Sequence, residues 1–295
     1  MKKLYSALMT AFNEDGSVNL DGVRAMVRYN IDVNHIDGLY VGGSTGETFM
    51  LNMDEKKAIF KAVYEEANGA IDLIAQVGSL NITEAKELAR YVTALGYPMI
   101  SAVTPFYYNF TFEQIKNYYN EILADVDNKL VVYSIPALTG VSLSLDQFAE
   151  LFENPKIVGI KYTNPDFYLL ERVRERFPDK LLLSGFDEML LPALSVGVDG
   201  AIGSTFNVNA PRAKREIAAF EAGDNEQALA LQRESNDLIA AILDNDLYPT
   251  IKLLFKELGV DAGICKQPMS APTPQMKAGA HEIYTRFFQN SGEEK

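Results

Sequence analysis

The 295-residue sequence predicts an α/β fold, a closed parallel (β/α)8 or TIM barrel carrying a C-terminal helical extension. Short apolar runs alternate eight times with longer stretches of helical period, at spacings of about 20 to 35 residues. The short runs are continuously apolar, as strands covered on both faces are. Beyond Gly223 the remaining periodic segments are helical only.

In chain order, Leu4–Met9 runs into the polar turn Asn13-Glu14-Asp15 and is followed by the amphipathic segment Leu20–Val33. Gly38–Val41 precedes Met53–Asn68, Asp72–Gln76 precedes Ile82–Leu95, and Met99–Val103 precedes Thr111–Ala124. Leu130–Ser134 precedes Leu145–Phe152, and Ile157–Lys161 precedes Phe167–Phe177. Leu181–Ser184 and Gly200–Gly203 are followed by Glu188–Val196 and Asn209–Ala222. Each first member is β-branched or aromatic-rich and short; each second member repeats its apolar residues every three or four positions. A doubly wound open sheet shares this pattern, because periodicity does not reveal closure. Asp224–Leu243, Pro249–Leu258 and Thr273–Phe288 then read as helices, giving a barrel over 1–222 and an extension over 223–295 packed on it, with no Gly/Ser linker between them.

Composition narrows the function. Lys+Arg 27 against Asp+Glu 40 leaves a net charge of −13 and no basic stripe, which argues against nucleic acid as a partner. No run reaches the ~18 apolar residues of a membrane span. The N-terminal Met1-Lys2-Lys3 and its apolar-leaning sequel imitate a signal peptide only faintly, being broken by Tyr5, Ser6 and Thr10. The single cysteine, Cys265, forbids an internal disulfide and suits a reducing compartment, so a cytoplasmic location is expected. With only His35 and His281 present, the usual zinc sites cannot be assembled, and no metal is expected. Acid–base chemistry falls to Lys, Tyr, carboxylates or those two imidazoles.

In a barrel the site lies at the C-terminal ends of the strands. Lys161 ends the run Ile157–Ile160 there; desolvation favours its neutral amine, which an imine-forming nucleophile requires, whereas a solvated lysine capping an edge strand is the plain alternative. Tyr133 ends the preceding strand and would approach Lys161 as a proton relay, or simply pack. In Tyr40–Glu47, glycines permit backbone N–H groups to converge on an anion such as a carboxylate, with the Ser44 and Thr45 hydroxyls. An ordinary glycine turn with a Ser/Thr cap fits that spacing too. The same stretch, Gly42-Gly43-Ser44-Thr45-Gly46, matches the nucleophile elbow of serine hydrolases, with His281 downstream, although no His-Gly-Gly segment precedes it. Gly185-Phe186-Asp187-Glu188 and Gly203-Ser204-Thr205 follow the last two strands. Two carboxylates there repel a phosphate and favour a polyhydroxy substrate, unless Asp187 only caps a helix.

Together, Tyr40–Glu47, Thr104–Tyr108, Tyr133–Ala137, Gly159–Thr163, Gly185–Glu188 and Gly203–Thr205 resemble, in order and over nearly the whole chain, the N-acetylneuraminate lyases or sialic acid aldolases. These belong to the class I aldolase superfamily that also contains dihydrodipicolinate synthase. The resemblance implies a reversible cleavage of N-acetylneuraminate to pyruvate and N-acetylmannosamine through a covalent lysine imine, without cofactor or metal. Lys161 would form the imine and Tyr133 relay protons; Ser44 and Thr45 would hold the pyruvate-derived carboxylate, with Ser44 bonded to Tyr133. Thr163, Gly185, Asp187, Glu188 and Ser204 would meet the sugar hydroxyls, and Tyr107 would reach a neighbouring subunit's site in a homotetramer. Dihydrodipicolinate synthases carry an arginine where this chain has Leu138, which favours the lyase over that synthase or another 2-keto-3-deoxy sugar acid aldolase. A silent barrel used as a sensor would bind without turnover. Ser134 and Tyr162 depart from the commoner family wording and should point away from the mouth by strand alternation.

Overall fold

The structure, a computed structural model, describes residues 2–269 and 271–289. Eight parallel strands close into a barrel in sequence order: β1 Lys3–Ala7, β2 Gly38–Val41, β3 Asp72–Gln76, β4 Met99–Val103, β5 Leu130–Ser134, β6 Ile157–Tyr162, β7 Leu181–Ser184 and β8 Gly200–Gly203. β1 pairs with both β2 and β8, so the sheet has no edge and the doubly wound alternative is set aside.

Strand alternation sorts side chains into two layers. Tyr5, Ala7, Tyr40, Ile74, Val103, Tyr133, Leu183 and Ile202 fill the barrel interior. Leu4, Leu39, Val41, Leu73, Ala75, Val132, Ile160 and Tyr162 face outward and pack under the helices. Tyr162 thus points away from the mouth, as alternation requires, and its hydroxyl donates to the Asp166 carbonyl at 2.7 Å. Helix starts follow side-chain caps: Asn52 with Glu55, Thr111 with Gln114 and Ser144 with Gln147 form reciprocal capping boxes.

Some boundaries differ from the sequence reading. β1 ends at Ala7 rather than Met9, although Leu8 and Met9 remain buried: apolar character outlasts the pairing. The helix expected from Asn209 starts at Phe206. Pro211 lies inside it rather than in its first turn, and the Asn207 carbonyl that its missing N–H leaves free accepts from Asn34 Nδ2 at 2.9 Å. Asp187–Met189 is a 3₁₀ turn before the helix Leu190–Ser195. The 3₁₀ turns Ser44–Gly46 and Thr48–Met50 and the single helical turn Pro136–Thr139 decorate the rim and are too short to carry a periodic signal.

After the last barrel helix, Phe206–Glu221, come Asn225–Asp244, Leu247–Glu257 and Pro274–Tyr284, the last continuing as a π turn over Thr285–Gln289. The first packs along Phe206–Glu221 and the third along the second. The junction between Asn225–Asp244 and Leu247–Glu257 sends Ile239, Leu243, Leu247 and Tyr248 to the barrel mouth. No helix among the described residues is long and apolar enough to cross a membrane.

Candidate active site

Lys161 sits opposite Tyr133 in the β5–β6 register, on the inward face at the C-terminal end of β6. Its side chain is buried, only 4% exposed, with Nζ 4.0 Å from the ring centroids of both Tyr40 and Tyr133. Burial pulls the ammonium down from 10.5 to about 7, against the opposing attraction of Asp187. Two ring faces lend the charged form some support, but they are a poor substitute for water. The lysine is not the solvated strand cap.

The neighbours are correspondingly perturbed. Burial pushes the Tyr133 phenol up to about 12, while the Ser44 hydroxyl beside it eases it down. Asp187 is pushed up by burial to about 6, although its Oδ2 accepts from both the backbone N–H and the hydroxyl of Thr205 at 2.6 Å. Asp187 therefore accepts from Thr205 at the end of the adjacent strand and faces the lysine across the cavity; it does not cap the helical turn that it opens. Gly203 and Gly185 are required by close approach: a Cβ on the first would fall on Asp187 Oδ1 and on the second on Thr163 Oγ1.

The Ser44–Gly46 turn is tied to the barrel at several points. Thr10 donates its hydroxyl to the Gly46 carbonyl at 2.8 Å, and Thr45 Oγ1 lies 2.6 Å from Ser204 Oγ. Thr163 Oγ1 is buried with no hydrogen-bond partner of its own. Ser44, Thr45, Tyr133, Lys161, Thr163, Gly185, Asp187, Glu188 and Ser204 all line one cavity of about 210 Å³. Ser44 also lines an adjoining, mostly apolar cavity of about 260 Å³ with Phe49, Phe106 and Tyr248.

Tyr107 is the one proposed site residue that lies elsewhere. Its side chain is 82% exposed, its backbone has a φ of 74°, and its ring packs edge-on against Tyr108. His281 pairs with Glu257 at the surface and lines neither cavity that Ser44 lines, so the serine-hydrolase alternative lacks its base. Among the described residues, no group of three or more His, Cys, Asp or Glu could hold a metal ion.

Sequence reasoning did not assign Tyr40 the second wall of the lysine pocket, though its inward position on β2 was readable from alternation. It also missed Thr205 as the partner of Asp187, and the cavity wall made by Ile239, Leu243, Leu247 and Tyr248, which no local pattern announces.

The model of the dihydrodipicolinate synthetase family matches residues 1–286. The chain belongs to that family. Within it, the chain is 71% identical to an N-acetylneuraminate lyase of Lactiplantibacillus plantarum, over 98% of this chain and 99% of the relative. It is 60% identical to the lyase of Clostridium perfringens over 98% and 100%. Among solved structures, a Clostridium difficile protein crystallised in complex with mannosamine is similar with a TM-score of 0.96 and 59% identity, covering 98% of this chain and 99% of that one. The N-acetylneuraminate lyase of Fusobacterium nucleatum complexed with pyruvate gives 0.93 and 55%, over 98% and 97%. The likeness read from the six motifs thus extends along nearly the whole chain.

Proposed function

We propose that this chain is a Schiff-base aldolase that cleaves N-acetylneuraminate reversibly to pyruvate and N-acetylmannosamine. The observation that carries the reading is a lysine amine brought to about 7 by burial, facing a protonated phenol and a Ser-Thr turn across one small cavity.

The neutral Lys161 amine attacks the C2 ketone of the open-chain sugar acid, and the carbinolamine loses water to give an iminium. Ser44 and Thr45 hold the adjacent carboxylate through hydroxyls and backbone N–H groups. The C4 hydroxyl then passes its proton to the Tyr133 oxygen, which has just given its own to the carbinolamine hydroxyl leaving as water; the C3–C4 bond breaks, and its electron pair flows into the iminium to form an enamine. N-acetylmannosamine departs as the aldehyde. The enamine takes a proton at C3, and water hydrolyses the imine to release pyruvate and free the lysine. A phenol at about 12 carries almost no phenolate at neutral pH, so Tyr133 donates its proton first and then takes one back, rather than resting as a base. The unpartnered Thr163 hydroxyl, the Asp187 and Glu188 carboxylates, Ser204 and the Gly185 backbone meet the sugar hydroxyls. No metal or cofactor takes part.

A homotetramer in which Tyr107 of one copy reaches the site of another completes the reading, supported by the exposed ring. A cytoplasmic location is supported by the single cysteine, Cys265, a free thiol in a chain that has no second cysteine to bridge to.

Borohydride reduction in the presence of pyruvate tests the mechanism. A stable mass adduct mapping to Lys161 is the expected product; labelling elsewhere, or none, removes the imine.

Leu138 separates this reaction from that of the synthase sibling. It stands on the turn Pro136–Thr139 and lines the lysine cavity with an uncharged side chain. A carboxylated aldehyde would find no cation there, whereas Leu138→Arg supplies one. One charge-assisted contact is worth about 10- to 100-fold, so kcat/KM for the carboxylated aldehyde relative to N-acetylmannosamine should rise by about that factor. An unchanged ratio in paired synthesis assays would place the discrimination elsewhere.

A further inference from the structure

Glu47 closes the Ser44-Thr45-Gly46-Glu47 stretch, yet the mechanism above gives it no task. Its backbone is left-handed, with φ 59° and ψ 30°, and it joins the 3₁₀ turns Ser44–Gly46 and Thr48–Met50. A residue bearing a β-carbon keeps that conformation only where its surroundings enforce it. The enforcement is visible. Oε1 accepts from Lys252 Nζ at 2.6 Å and Oε2 from the Lys266 backbone N–H at 2.7 Å, and both side chains of the Glu47–Lys252 pair are fully buried. Lys252 Nζ also donates to the Ile264 carbonyl at 2.6 Å and stands 4.9 Å from the Phe12 ring centroid. The Glu47 N–H in turn donates to the Ser44 carbonyl at 2.9 Å.

A dehydrated ion pair of this kind is a poor source of stability, because removing two charges from water offsets most of their attraction. It fixes geometry instead. Here it links the turn bearing Ser44 and Thr45 to the helix Leu247–Glu257, on which Tyr248, one helical turn before Lys252, lines the same cavity as Lys161.

We propose that Glu47 and Lys252 are positioning residues, whose ion pair holds the Ser44–Gly46 turn in the arrangement that receives the substrate carboxylate. Neither touches substrate. The inference rests on the aldolase reading and adds to it how the carboxylate-holding turn is set and from which part of the chain.

The test compares borohydride trapping on Lys161 by pyruvate with trapping by hydroxyacetone, a ketone without the carboxylate, in the full-length protein, Lys252→Met and the double variant Glu47→Gln/Lys252→Met. A misplaced turn weakens recognition of the carboxylate alone. Both variants should therefore lose about tenfold or more of the pyruvate-over-hydroxyacetone preference, the scale of one charge-assisted contact. Hydroxyacetone trapping should stay within about twofold, and the KM for pyruvate in the synthesis direction should rise more than kcat falls. If Lys252→Met leaves Glu47 unpaired and fails to fold, the double variant, which buries no unpaired charge, decides the matter. A folded double variant with the parental preference, or an equal loss for both ketones, overturns the inference while leaving the imine intact. A parent protein that traps no pyruvate on Lys161 overturns the aldolase reading and this inference together.

Discussion

Lys161→Met should leave a folded chain that cleaves no N-acetylneuraminate and melts above its parent. Removal of a covalent nucleophile acts on a scale of about 10⁴-fold or more, so residual turnover should fall below detection in a coupled assay. The stability change has the opposite sign. An unfolded lysine holds its proton up to its ordinary 10.5, the folded one only up to about 7. Between those values the unfolded chain binds more protons, so stability rises with pH across that window, and below about 7 the full penalty of burying the ammonium is present. At about 1.4 kcal/mol per tenfold in proton affinity, the penalty at neutral pH is at most roughly 5 kcal/mol, and loss of the two ring contacts offsets part of the gain. A thioether of similar length should stabilise by about 2 kcal/mol, or a Tm rise of about 3 °C or more. The same titration governs chemistry: in the parent, the pyruvate trapping rate should climb up to about pH 7 and level above it. A lysine that titrates near 10, or a variant less stable than its parent at pH 7, would contradict a dehydrated amine.

The second large effect is expected at Tyr133. The phenol stands over the lysine, buried, with the Ser44 and Thr163 hydroxyls as neighbours. Tyr133→Phe keeps the ring that packs edge-on against Tyr40 at 5.9 Å and removes only the proton it carries. A positioned acid–base group contributes about 10²- to 10⁴-fold, so kcat for cleavage should drop by that order while KM changes little. Pyruvate should still be trapped on Lys161, more slowly, because the amine remains. A loss of less than about tenfold would reduce Tyr133 to packing.

The sequence disclosed the barrel because its physics is local and repeated. β5, Leu130–Ser134, is buried on both faces, and such a strand has to be written as an unbroken apolar run. Where burial and pairing part company, the reading slipped: Leu8 and Met9 are as dry as any strand residue, but the β1–β2 register ends at Ala7 with Tyr40, and Leu8 follows it with a single N–H bond to the Tyr40 carbonyl. The helix expected from Asn209 starts at Phe206, and the Asn34 side chain, distant in sequence, takes up the Asn207 carbonyl that Pro211 leaves free inside it. Within the site, Lys161 and Tyr133 were legible together because adjacent strand ends bring them to one rim. Tyr107 was assigned by family likeness alone, and a single chain does not bring it to its own cavity. Glu47 and Lys252 were illegible as a pair: 205 residues separate them, and neither side chain has a local reason to be dry.

The wall formed by Ile239, Leu243, Leu247 and Tyr248 means that the reaction chamber is finished by chain that is synthesised after every strand of the barrel. A nascent polypeptide can pair all eight strands once Gly203 has emerged, yet its nucleophile still looks onto water on one side. Chemical competence is thus acquired after topology, when the tail docks and shuts the solvent out.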